Sequence, residues 1–214
     1  MRAVTDTCIL NPTPSLALAA AALLVTATSA RAIEYAQLDT SPSATTAVLV
    51  HALGPSADRP APLVSATYAH WSTGDASALG LVYRWSVGGD TQQWVVGAGA
   101  GLNDFHSRTG DDRGHDTRPS ARVQSEWYGP APGGTYYALA QASTFRGSWL
   151  ATAQYAPSAL PVAAEWSRYH ERDYQATNLG VRIALGASRW FLRVGNTRAD
   201  GESHPYIGIA YNGF

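Results

Sequence analysis

From Gln175 to Phe214 the chain alternates between apolar and polar residues. Leu179, Val181, Ile183 and Leu185 are separated by Asn178, Gly180, Arg182 and Ala184. After the turn Gly186–Ser188, Trp190, Leu192 and Val194 alternate with Arg189, Arg193 and Gly195. Successive side chains of a strand point to opposite faces, so this pattern gives one apolar and one polar face. The polar face carries Arg on strands whose other face is strongly apolar. That combination suits a wall with lipid on one side and water on the other.

The same pattern recurs upstream. Strand-like segments are Ile33–Asp39, Thr46–Leu53, Leu63–Ser72, Ala78–Val87, Gln93–Asn103 and Ser120–Gly129. They continue with Thr135–Thr144, Ser148–Tyr155, Val162–Glu171, Gln175–Leu185, Arg189–Thr197 and Pro205–Gly213. Turn residues such as Ser72-Thr-Gly-Asp75 and Gly129-Pro-Ala-Pro-Gly-Gly lie between them. Most segments have the length of a transmembrane strand. The fold class this implies is all-β: an antiparallel up-and-down transmembrane β-barrel of about 12 strands, with both termini periplasmic. About 10 strands, with Ile33–Asp39 as a tail or plug, is the alternative. With Phe214 in the periplasm, the irregular stretch Asp104 to Pro119 falls outside as a loop. The short turns Gly186–Ser188 and Gly88–Gln92 fall inside, and Gly54–Pro62 is a rather long inner connection.

Residues 1–32 read as a signal peptide, with an apolar run from Leu16 to Val25 and an A-x-A cleavage site at Ala30 and Ala32. The barrel is then 33–214. Cys8 lies before the cleavage site, so no disulfide or thiol chemistry is expected in the mature chain. The net charge of -1 makes no electrostatic case for nucleic acid. No later segment is a transmembrane helix, so a membrane location requires a closed barrel. Trp and Tyr near segment ends, among them Tyr35, Trp94, Trp127, Tyr155 and Trp190, fit interfacial girdles. A soluble β-sandwich or lipocalin-like barrel is the competing architecture, with the apolar face turned inward.

With apolar residues outward, the lumen collects Arg84, Arg122, Gln124, Glu126, Gln154, Glu165, Ser167, Asn178, Arg182, Arg189 and Arg193. Two readings are open: a plug of Arg–Glu pairs that stiffens the wall, or an Arg-lined passage for a hydroxyl-rich or anionic solute. The Asp104–Arg118 stretch could offer Asp111, Asp112 and Asp116 to a divalent cation, but it matches no calcium loop and reads as a solvated outer loop. A rim hydrolase would draw on His70, Ser72, His106, or His170 with Glu171, none within a recognisable nucleophile motif. No metal and no cofactor are expected.

The terminal strand resembles that of outer-membrane β-barrels, which ends in Phe and is read by the barrel-insertion machinery. Tyr206, Ile207, Ile209, Tyr211 and Phe214 make up the signal here. Tyr211, Ile209 and Ile207 are out of phase with Phe214 unless a bulge lies at Asn212-Gly213. A second resemblance begins at Pro119. Ala121-Arg-Val-Gln-Ser-Glu-Trp-Tyr-Gly-Pro130, Ser148-Trp-Leu-Ala-Thr-Ala, Ala164-Glu-Trp and Asp173-Tyr-Gln-Ala-Thr-Asn-Leu-Gly-Val-Arg182 are similar to the cellulose biosynthesis protein S family of small barrels. Ala164 stands where that family has proline, and its Arg before Gly180 is missing. This resemblance implies a non-enzymatic role accessory to exopolysaccharide production or export. Its partners would be outer-membrane lipid, the insertion machinery and a polysaccharide or export apparatus, in the outer membrane of a Gram-negative cell. A narrow porin-like channel for small polar or anionic solutes is the alternative, and a lipid hydrolase the second alternative.

Overall fold

Alternating residues leave each strand with one row of side chains that must meet water and one that must avoid it. Closing the sheet on itself resolves this conflict and also removes every unpaired edge. The computed structural model describes residues 33–53, 62–88, 93–107, 114–172 and 174–212. The strands are β1 (Ile33–Thr40), β2 (Ala44–Ala52), β3 (Pro62–Trp71), β4 (Gly74–Val87), β5 (Gln93–Ser107) and β6 (Gly114–Ala131). They continue with β7 (Gly134–Ser143), β8 (Trp149–Pro157), β9 (Val162–Glu171), β10 (Tyr174–Ala184), β11 (Trp190–Ala199) and β12 (Glu202–Asn212). A 3-10 turn, Phe145–Gly147, joins β7 to β8.

Each strand pairs antiparallel with its sequence neighbours, and β12 returns to β1 to close a barrel. The ten-strand alternative is thereby corrected. The segment read as a possible tail, β1, has ladders on both sides: Tyr35↔Asn212 through Thr40↔Ile207 with β12, and Tyr35↔Val50 through Thr40↔Thr45 with β2. Following the paired positions once around the wall displaces the register by about 14 residues, for a strand tilt of ~40° and a Cα radius of ~12 Å. Long side chains reaching inward from such a wall can meet across part of the lumen, and glycines leave it open.

Burial is inverted relative to a water-soluble domain. Arg182 is 5% exposed, whereas Leu179, three residues away on the same strand, is 64% exposed. Leu79, Leu81, Leu102, Val123 and Ile207 are likewise exposed, while Arg84, Glu126, Glu165 and Arg193 are buried. A large contiguous apolar exterior marks a surface that faces lipid. Aromatic residues gather where the strands end on the side of the two termini: Trp85 ends β4, Trp94 opens β5, Trp127 nears the end of β6, and Trp190 opens β11. Tyr83 packs on Trp85 with ring centroids 4.9 Å apart, Trp127 on Tyr136 at 5.5 Å, and Trp190 on Tyr211 at 5.2 Å. This is the position of an interfacial girdle.

The stretch Asp104 to Pro119 departs from its expected loop. Ladder pairing runs on through Asp104↔Thr117 and His106↔His115 to Ser107↔Gly114; β4 stays paired with β5 to Gly74↔Ser107, while β6 runs on past β7, whose ladder ends at Arg122↔Ser143. Polar side chains of this stretch satisfy one another. Asp104 accepts from Thr117 at 2.6 Å and sits 2.6 Å from His115, while His106 lies 3.6 Å from Asp75 on β4. Cross-strand polar pairs of this kind support a strand that polarity alone reads as a loop. Among the described residues, the turns 72–73 and 200–201 at the far end are as short as 132–133 at the terminal end.

Candidate functional site

The buried polar residues form two regions of the lumen. The first spans five strands near the terminal end. Glu165 on β9 accepts from Arg182 Nε on β10 at 2.5 Å and also pairs with Arg193 on β11, which reaches Asp39 on β1 as well. Arg182 donates to the Tyr35 hydroxyl at 2.5 Å, and Tyr35 in turn bonds Gln37. Gln37 donates to Asp39 at 2.6 Å, and Gln154 on β8 donates to Glu165 at 3.1 Å. The side chains of Arg182 and Glu165 keep only 6% and 3% of their exposure. Two arginines against two carboxylates make the cluster neutral, which is what permits four charges at such burial.

A companion cluster lies in the lumen on β4, β6 and β7. Arg84 on β4 lies 3.8 Å from Glu126 on β6, which also accepts from Gln124 at 2.7 Å and from Tyr137 on β7 at 3.5 Å. Tyr206 on β12 lies flat on the inner face over Gly180 and Gly195, where any Cβ would collide with it, and its ring sits 5.6 Å beneath the Arg193 guanidinium. Glycine is required there by close approach.

The second region lies on β5 and β6, further from the termini. Arg122 is 6% exposed, and its guanidinium rests over Gly80 and Gly101, whose missing side chains leave it room. It donates to Asn103 Oδ1 at 3.0 Å, and Asn103 donates to the Ser120 hydroxyl at 2.8 Å. Its Nε is buried with no acceptor. Among the described residues no carboxylate forms an ion pair with Arg122. Above it, at the rim, a cavity of about 170 Å³ is lined by Arg118, Arg146, Arg172, Asp116 and Thr144. Arg118 pairs with Asp116 at 2.6 Å, and Arg146 lies 4.4 Å over the Phe105 ring and 3.4 Å from Glu171.

The structure thus gathers Arg84, Gln124, Glu126, Glu165, Arg182 and Arg193 into the paired region and holds Arg122 apart. Asn178 is half-buried and donates to Ser167 at 3.1 Å, outside both. Two expectations need correction. Arg189 lies in the exposed turn before β11 rather than in the wall, because β11 begins at Trp190. Tyr206, grouped with the insertion residues, is buried in the lumen at 8% exposure, whereas Ile207 and Ile209 face outward. Pairing along β12 is unbroken from Trp190↔Tyr211 to Ala199↔Glu202. Phe214, Gly213, Asp111, Asp112 and residues 1–32 lie outside the described residues.

Tyr35, Gln37, Asp39, Tyr137, Asn103 and Ser120 were missed. Tyr35, Gln37 and Asp39 share one face of β1 by alternation, which was the available signal. Glu171, which a catalytic His170 would need, instead accepts from Tyr169 at 2.7 Å, and His170 stacks on Trp149 at 5.8 Å.

No family model and no curated protein matches the chain. Solved structures do. The KdgM porin aligns with a TM-score of 0.54 at 8% identity, covering 85% of this chain and 98% of the porin. The KdgM porin in complex with disordered oligogalacturonate aligns with a TM-score of 0.52 at 9% identity, over 85% and 98%. Omp33 of Acinetobacter baumannii covers 85% of this chain at 7% identity with a TM-score of 0.49. A closed wall, an exterior of Leu, Val, Ile and Trp, and a fold shared with a solved porin make this chain a twelve-stranded outer-membrane β-barrel.

Proposed function

We propose that the protein is a narrow porin-like channel that passes small polar or anionic solutes, with the Arg–carboxylate layer as its constriction. The observation that carries this reading is the sign of the lumen. Among the described residues, buried Arg84, Arg122, Arg182 and Arg193 with half-buried Arg146 outnumber by one the carboxylates that pair with them, Asp39, Glu126, Glu165 and Glu171. An interior with excess fixed positive charge concentrates anions and repels cations. The fold it shares with a porin seen with oligogalacturonate supports the same reading. Both termini belong in the periplasm, with the far ends of β5 and β6 facing outward, and a signal peptide and the barrel-insertion machinery deliver the chain. Planar-bilayer recording tests it: steady, anion-selective steps in potassium chloride support the channel, and a silent barrel contradicts it.

One observation favours a second reading. The paired layer is nearly dry, with the Arg193 and Glu165 side chains at 4% and 3% exposure. A barrel stiffened in this way without conducting would fit an accessory of exopolysaccharide export. A silent bilayer together with lost polymer secretion in a deletion strain is the result that this reading expects.

A further inference from the structure

Charges taken out of water are tolerated when they are paired and hydrogen-bonded, and otherwise carry a penalty of several kcal/mol. Among the buried arginines of the lumen, Arg84, Arg182 and Arg193 each meet a carboxylate. Arg122 is as buried as they are, and among the described residues it meets none. Its surroundings are nevertheless built. Gly80 and Gly101 clear space for the guanidinium, Asn103 fixes one of its nitrogens, and Ser120 holds Asn103. Its Nε lies against Gly101 and has no acceptor, and Arg193 Nε has none either, so the difference is the missing carboxylate: the wall positions this cation and leaves its counter-charge to something outside the chain.

We infer that Arg122, with Asn103 and Ser120, is a binding subsite for the carboxylate of a small organic monoanion. A planar guanidinium edge matches a planar carboxylate with two parallel hydrogen bonds. One unbalanced positive charge is neutralised by one negative charge, so a dianion would only reverse the imbalance. The Ser120 hydroxyl and the Asn103 amide beside the cation suit the hydroxyl of a sugar acid. The rim cavity lies on the same wall, with Arg118 four residues above Arg122 on β6 and Thr144 bonded to the backbone of Ala121.

The inference rests on the channel reading, so its test includes a readout that does not depend on conduction. The folded barrel in detergent is heated in steps with sodium gluconate, with sodium chloride at the same ionic strength, or with sorbitol. The unfolding midpoint is read from the mobility shift of the folded band. Gluconate at tenfold excess over its dissociation constant is expected to raise the midpoint by about 3 °C. Sorbitol and chloride should give no comparable rise. Arg122→Gln should abolish the rise, Arg122→Lys should reduce it, and Arg189→Gln in the exposed turn should retain it. An equal rise in wild type and Arg122→Gln, an equal rise with chloride, or no rise in wild type each overturns the subsite. Recording the same proteins in bilayers separates the two claims. A gluconate-dependent midpoint in a silent barrel keeps the subsite and removes the channel. Conduction without a gluconate effect does the reverse.

Discussion

The two buried regions of this lumen use the same residue type differently. In the layer near the termini, Arg182 and Arg193 grip Glu165 and Asp39, and Tyr35, Gln37 and Gln154 take up much of the remaining hydrogen bonding. On the β5–β6 wall, Arg122 has an amide partner and a cleared floor of glycine, but no carboxylate among the described residues. Burial is equal, at 5% exposure for Arg182 and 6% for Arg122. Burial alone therefore does not tell a structural arginine from a functional one. The difference lies in whether the chain itself supplies the counter-charge.

That contrast is most sharply broken at Glu165. Replacing it with Leu removes the carboxylate between Arg182 and Arg193 and leaves buried positive charge uncompensated. A loss of about 3–5 kcal/mol is expected in urea unfolding of the folded barrel. A loss below about 1 kcal/mol would mean that the layer is solvated and not a paired plug.

Two glycine substitutions come next in size. Gly180→Ala forces Tyr206 off the wall beneath Arg193, for an expected cost of about 1–3 kcal/mol. The equivalent change at Gly101 meets the Arg122 guanidinium and, more loosely than Gly180 meets Val194, the Leu79 carbonyl; it should cost less, and the same unfolding series compares them directly. Equal costs would erase the distinction between a locked and an open arginine.

Arg122→Met should go the other way. Removing an unpaired buried cation is expected to leave stability unchanged or to raise it by about 1 kcal/mol without added anion. The lumen also loses a positive charge, so the reversal potential in a salt gradient should move toward lower anion selectivity. A destabilisation comparable to that of Glu165→Leu would assign Arg122 to the structural set. The smallest effect is expected outside the membrane. His115→Ala removes an exposed contact with Asp104 and should change stability by less than about 1 kcal/mol.

Most of the fold is legible in the residue alternation. The period of two in Leu179–Leu185, in Leu79–Val87 and in Val96–Leu102 sets which face meets lipid, and the structure exposes Leu79, Leu81, Leu102 and Leu179 accordingly. Strand ends were less legible where polar residues pair across a ladder. Asp104, His106 and His115 look like loop chemistry until their partners are known. Register between strands distant in sequence was not legible at all, so Tyr35 passed for a girdle aromatic although Arg182, across the β1–β12 closure, holds its hydroxyl. Tyr206 was misplaced for a related reason. Its alternation with Ile207 was visible, but the glycine floor that receives it comes from β10 and β11.

The odd-numbered face of β10 looks at hydrocarbon and the even-numbered face looks into the lumen. Nitroxide labels placed singly from Asn178 to Ile183 in lipid vesicles test it by collision with oxygen, which dissolves in lipid, and with a water-soluble nickel chelate. Oxygen accessibility should peak at Leu179, Val181 and Ile183 and fall at Asn178, Gly180 and Arg182. The opposite phase, or no alternation across the six positions, would contradict the account.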